Sequence, residues 1–339
     1  MDLHWREQES EASERLAVAN HTESCKECDG GGFQCYKSRV QIHRPMKDYN
    51  FIAYLCYLLY APLYLAGPIM TFNDFMSQTK TRLPSTTNHS QLIRYTLRLI
   101  LCVVLMETFQ HWLFVIAIAK SGTWLSSFTG FEVFCLVVFN LKHIWLKLLI
   151  MWRFFRLWAL LDGYESVENM GRCMMNNQSA SGFWRNWHRS FNRWIVRYVY
   201  VPLGGSRLYV LNLLVTFTFV ALWHDLEMKL ITWGWFICLS IIPEYLAGIY
   251  FPHKKWESWR FYQSLCACGA VVNIWLMVCA NIVGFGALSG DDGGFLKGIP
   301  KMFSSDIMSI MGMFVFWFSV AQVGFSYRRW EEMTEKSTE

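Results

Sequence analysis

The chain has 339 residues, of which 53% are hydrophobic and 17% aromatic, with 17 tryptophans and only 17% charged residues. A soluble domain carries about a quarter charged residues; here the apolar residues come in long blocks, which excludes an ordinary soluble domain and reads as a polytopic membrane protein. The formal net charge of +5 is dispersed at segment ends rather than gathered in a patch, so it points to membrane orientation and not to a nucleic-acid partner.

In chain order, residues 1–44 are polar, rich in Glu, Ser and Lys, and contain Asp29-Gly-Gly-Gly32. They read as a solvated, largely flexible tail with no signal peptide. Residues 45–327 read as the membrane domain and residues 328–339 as a charged tail. A bilayer crossing needs roughly 20 apolar residues as a helix. The blocks that meet or approach this are 51–70, 97–119, 131–149, 208–223, 230–251, 262–288 and 307–325, with 151–161 as a further half-span. That gives about seven to nine segments. None alternates polar and apolar residues as a barrel strand does, so the fold class is all-α, a transmembrane helical bundle. Pro62, Gly67 and Pro68 predict a first span that is kinked or broken, or one that Pro68 simply ends. Residues 71–91, with Pro84, read as a polar connection, residues 140–156 as an interfacial helix, and residues 162–182 as a long polar stretch. The chain carries no internal repeat, which argues against a transporter of duplicated halves.

Seven of the 11 cysteines (56, 102, 135, 238, 266, 268 and 279) lie in apolar segments and read as packing residues, while Cys173 sits alone in a polar connection. Cys25, Cys28 and Cys35 lie in the polar tail between His21 and His43. Cys-x2-Cys opens many metal sites. No second such pair follows, so the spacing favours incidental thiols over zinc, and no metal is expected.

The stretch richest in chemistry is Phe183-Trp-Arg-Asn-Trp-His-Arg-Ser-Phe-Asn-Arg-Trp194, continuing to Tyr200-Val-Pro-Leu-Gly-Gly205. Phe183, Trp187, Phe191, Trp194 and Tyr198 recur at steps of three and four, predicting one amphipathic helix over 183–198 with an aromatic face. Arg185, Arg189, Arg193 and Arg197 form a second face, suited to lipid headgroups or to the phosphates of a co-substrate such as coenzyme A. His188 belongs to neither stripe and shares a direction with Asn192, four residues on. Pro202 and Gly204-Gly205 end the helix. The apolar run 208–223 then closes on Trp223-His224-Asp225. His224 reads either as an interface residue or as a general base, since imidazole titrates near neutral pH.

The pattern Trp-x2-Trp-His-x-Ser-x3-Trp-x3-Tyr-x-Tyr-x-Pro-Leu-Gly-Gly, followed 36 residues after its histidine by Trp-His in an apolar helix, resembles the membrane-bound O-acyltransferase (MBOAT) family. Phe183 to Phe191, Trp223-His-Asp225 and Arg44-Pro-Met-Lys-Asp-Tyr-Asn-Phe51 look closest to its glycerol-uptake-protein (Gup) branch, a relative of hedgehog acyltransferase. The resemblance covers about residues 40–330 and implies an enclosed multi-helix acyltransferase. The polar start stands where full-length members have earlier spans, so the bundle is expected to lack some N-terminal spans.

What the resemblance implies for the site falls on His224 as the essential catalytic residue. His188 holds the second motif position, which is Asn, Asp or His in different branches. Arg185, Arg189 and Asn192 follow as substrate-binding candidates. The expected co-substrate is acyl-CoA, with no permanently bound cofactor. Expected partners are membrane lipids and a lipid or lipid-anchored acceptor, in the endoplasmic-reticulum membrane. The branch suggests remodelling of glycosylphosphatidylinositol (GPI) anchors; glycerol transport, protein acylation as in hedgehog, and an inactive paralogue are the alternatives.

Overall fold

The computed structural model describes residues 11–13, 15–21, 25, 28, 35–80, 83, 86, 88–285, 294–304 and 306–338. The Asp29–Gly32 loop, Pro84 and the end of the 262–288 block lie outside the described residues. Among those described, regular structure is entirely helical. The helices used below are α1 (Tyr36–Gln41), α2 (Phe51–Leu58), α3 (Ala61–Leu65), α4 (Phe72–Lys80), α5 (His89–Trp112), α6 (Val115–Ser121) and α7 (Gly130–Asp162). They continue with α8 (Ala180–Asn186), α9 (Arg189–Ile195), α10 (Tyr209–His224), α11 (Met228–Tyr250), α12 (Tyr262–Phe285) and α13 (Ile307–Thr338).

Five helices are long and apolar enough to cross a membrane, α7 and α10 to α13, or up to six if the bent pair α5 and α6 is one span. With its family likeness, reported below, this makes the chain an integral multi-pass membrane protein. The count is lower than the sequence expectation for two reasons. Residues 151–161 are no separate half-span, and residues 140–156 no interfacial helix: both belong to the 33-residue α7. Residues 51–70 form no helix long enough to cross. Asn50 caps α2, its Oδ1 accepting from Ala53 N at 2.9 Å, and the chain breaks before Pro62 in the first turn of α3. Two further expectations change. The connection at 71–91 contains α4, and the helix α13 continues through the charged end to Thr338.

The chain folds into two compact units, Met1–Val104 with Leu148–Asn169, and Leu105–Lys147 with Met170–Glu339. In the first, the apolar stretch after Asn50 turns back on itself. The Tyr49 ring lies 5.5 Å from Phe72, its hydroxyl donates to Asn73 Oδ1 at 2.9 Å, and Tyr57 donates to the Met70 carbonyl at 2.7 Å. Gly67 permits the return, because a Cβ there would sit 2.1 Å from the Pro62 carbonyl oxygen. Helix α1 is fastened to α4 by a buried ion pair, Arg39 Nε to Asp74 Oδ1 at 2.7 Å. Gln78 also donates to Asp74, at 2.8 Å; it exchanges bonds with Glu165 as well, donating to its carbonyl at 3.0 Å and accepting from its N–H at 2.7 Å.

The second unit holds two apolar clusters. One joins the N-terminal part of α7 to α12 and α13 through Val133, Val137, Val271, Ile282 and Trp317. The other, around Phe183, Phe217, Trp233, Ile237 and Ala280, packs α8 and α10 against α11 and α12. Its helices approach closely at glycine: a Cβ on Gly234 would meet the Phe217 carbonyl oxygen at 2.9 Å, and one on Gly284 the Trp233 ring at 2.7 Å.

Candidate active site

The predicted helix over 183–198 is not continuous. Helix α8 ends at Asn186, His188 takes a left-handed backbone (φ 44, ψ 53), and α9 starts at Arg189. Helix α9 leaves through one π turn, Val201 N–H donating to the Val196 carbonyl at 3.0 Å. The arginine stripe is divided accordingly: Arg185 is exposed on α8, Arg189 half-buried on α9, and Arg197 exposed on the π turn. The segment does not lie alone in the headgroup layer either, because α9 pairs with α10.

That pairing is a helical hairpin. Its turn runs through Pro202 to Gly204 (φ 101) and Gly205 (φ 58), conformations open to glycine and costly for side chains with a Cβ. Asn212 Nδ2 donates to the Gly205 carbonyl at 2.7 Å and ties the turn to the start of α10. The arms then run antiparallel. The tilted rings of Phe191 and Trp223 have centroids 4.1 Å apart, and Trp194 stacks on Phe219 at 6.2 Å. His188 and His224 are each 18 residues from Ser206, so arms of matched length bring both to the end away from the turn.

There the Trp223 indole lies 6.1 Å from the His188 ring and 4.7 Å from the His224 ring. His224 also meets Trp233 edge to face at 5.7 Å. Trp233 is buried, fixed by its indole N–H donating to Asn281 Oδ1 at 3.2 Å. Burial pushes the His188 imidazole down to about 4, and charge on His224 adds to the depression. His188 is thus a neutral ring at physiological pH, able to offer one N–H and one lone pair. Asn192 follows on the first turn of α9, its N–H donating to the His188 carbonyl at 2.9 Å. Arg185 lies in electrostatic reach of Tyr209, which starts α10.

The periodicity reading overlooked Glu244. This half-buried carboxylate of α11 accepts from Ser179 Oγ and Ser181 Oγ at 2.6 Å, from Ala180 N–H at 2.7 Å and from Asn273 Nδ2 at 3.2 Å. It fixes the start of α8, and with it the approach to His188. A signal was present: Glu244 is the one charged residue of the block 230–251, and ionisable groups at membrane depth rarely lack a task.

The sequence model of the family described as MBOAT, membrane-bound O-acyltransferase family, matches residues 18–289. The chain is 45% identical over 296 residues to Membrane-bound O-acyltransferase GUP1 of Millerozyma farinosa, covering 86% of this chain and 56% of that protein. It is 40% identical over 302 residues to Membrane-bound O-acyltransferase GUP2 of Saccharomyces cerevisiae, covering 87% and 48%. Protein-cysteine N-palmitoyltransferase HHAT of Mus musculus is more distant, at 29% over 196 residues, covering 56% and 39%. The chain spans about half the length of the GUP proteins it matches.

Proposed function

We propose that this chain, which belongs to the membrane-bound O-acyltransferase family, moves a fatty acyl group from acyl-CoA to a lipid hydroxyl, with His224 and His188 as its working pair. His224 takes the proton of the acceptor hydroxyl as the oxygen attacks the thioester carbonyl. The tetrahedral intermediate collapses with loss of the coenzyme A sulfur, which receives that proton from His224. One O–H and one C–S bond break, one C–O and one S–H bond form, and nothing is oxidised. His188, neutral and rigidly held, donates its N–H to the carbonyl oxygen as negative charge develops there. Arg189 and Asn192, on the turn of α9 that follows His188, are the groups we assign to holding the donor; Arg185, one helix back, serves the phosphates of coenzyme A. No cysteine or serine nucleophile is invoked, so transfer is direct.

The observation that carries this reading is the single Trp223 ring in contact range of both imidazoles. For the acceptor we favour a lyso-form of a GPI anchor in the endoplasmic-reticulum membrane, on the resemblance to the Gup branch. Transfer from radiolabelled acyl-CoA in membranes carrying the protein tests the assignment. At equal protein level, His224→Ala should lower the rate by about 100-fold or more. Wild-type transfer by that variant removes His224 as the base, and an acylated protein trapped on the pathway removes direct transfer.

A further inference from the structure

The three cysteines of the polar N-terminal segment are not scattered. His21, at the end of the helical residues 15–21, and Cys25, Cys28 and Cys35 bring one donor atom each to within 4.8 Å of one another. His21 Nε2 is 3.1 Å from Cys35 Sγ, and the sulfurs of Cys25 and Cys35 are 3.8 Å apart. That last separation is far beyond a disulfide bond of about 2.05 Å. It is the edge of a tetrahedron with metal–sulfur bonds of about 2.3 Å, which is about 3.8 Å. None of the three cysteines is in a disulfide.

We propose that His21, Cys25, Cys28 and Cys35 form a structural zinc site. The donor set is the Cys3His of closed tetrahedral zinc centres, with no position left for a substrate or water. The fourth donor lies upstream of the Cys-x2-Cys pair, giving His-x3-Cys-x2-Cys-x6-Cys. Two backbone amides already point at sulfur: Cys35 N–H donates to Cys28 Sγ at 3.4 Å, and Ser38 N–H to Cys35 Sγ at 3.5 Å. Cys35 also caps α1, its sulfur accepting from Ser38 N–H.

The site has a structural task. Cys28 and Cys35 are buried, yet the 30 residues before α1 include few large apolar side chains with which to build a core. A metal supplies the missing crosslink, as it does in small domains generally. Through α1, and the buried pair of Arg39 with Asp74, it fixes the helical residues 15–21 to the first unit. The proposal does not rest on the acyl-transfer reading, and its test needs no substrate.

The full chain, purified in detergent from zinc-replete medium without chelator, should carry about one zinc per molecule by elemental analysis. Exchange with Co2+ should give the visible bands of tetrahedral cobalt and a thiolate-to-metal charge-transfer band. Cys28→Ser and Cys35→Ser should each remove both signals, and Cys56→Ser should leave them unchanged. His21→Cys should keep the metal, whereas His21→Ala should weaken competition against a chromogenic chelator by at least about tenfold. Wild-type protein with less than about a tenth of a zinc per chain and no charge-transfer band overturns the proposal, against the full occupancy a closed site requires. So does peptide mapping that finds Cys25 joined to Cys35 in a disulfide. Both of these results come from the unaltered chain, so a variant that fails to fold does not blunt the test.

Discussion

His188 has φ 44 and ψ 53, and a left-handed backbone of this kind admits few residue types readily: glycine first, then Asn, Asp and His. Backbone shape therefore selects for the position alongside chemistry. His188→Asn should fold with wild-type stability, whereas His188→Val should lose about 1–3 kcal/mol, read as a lowered thermal midpoint in detergent. The ring also links stability to pH. Its folded value of about 4 lies below its ordinary value near 6.5, so between these limits the unfolded chain binds the extra proton. Stability from this group is complete above 6.5 and is lost as pH falls towards 4. The thermal midpoint of the wild type should thus fall more steeply across that window than that of His188→Asn; equal slopes would mean that His188 takes up its proton in the folded chain as it does in the unfolded one.

The helical hairpin from α9 to α10 is the element that makes a pair of two distant histidines. Its turn was legible in the sequence, since Pro202 and Gly204-Gly205 forbid a continued helix. The break at His188 was not. No glycine or proline marks it, and the aromatic and arginine repeats run straight through it at helical spacing. Packing decided there: α8 is fastened by Glu244 of α11, α9 by Phe191 and Trp194 against α10, and the joint must bend between them. Replacing Gly204 (φ 101) with Ala should cost about 1–2 kcal/mol and lower transfer. Glu244→Gln leaves one carbonyl oxygen where two carboxylate oxygens accept from Ser179, Ser181, Ala180 and Asn273. It should cost about 1–3 kcal/mol, and the change should appear as altered proteolysis near Ser179 if Glu244 does position α8.

For the molecule as a whole, the class of fold was plain from block lengths, while the number of crossings was not. Length and hydropathy treat residues 51–70 as a span, yet eight residues of α2 rise only about 12 Å against a hydrocarbon core of about 30 Å. Tyr49 beside Phe72 and Asn73 requires the two ends of the stretch to share a side. Cysteines placed singly at Asn50 and Thr71, in a background lacking other reactive thiols, should both react with an impermeant maleimide from the same face of sealed vesicles. Labelling from opposite faces would restore the crossing. The fold-back also changes how charge orients the chain. Lys37, Arg44 and Lys47, which precede the stretch, then share a side with the residues that follow it. With the stretch folded back, His21 and its three cysteines belong with α4, to which α1 is tied by Arg39 and Asp74, so one ion held by those four donors would brace the fold-back itself.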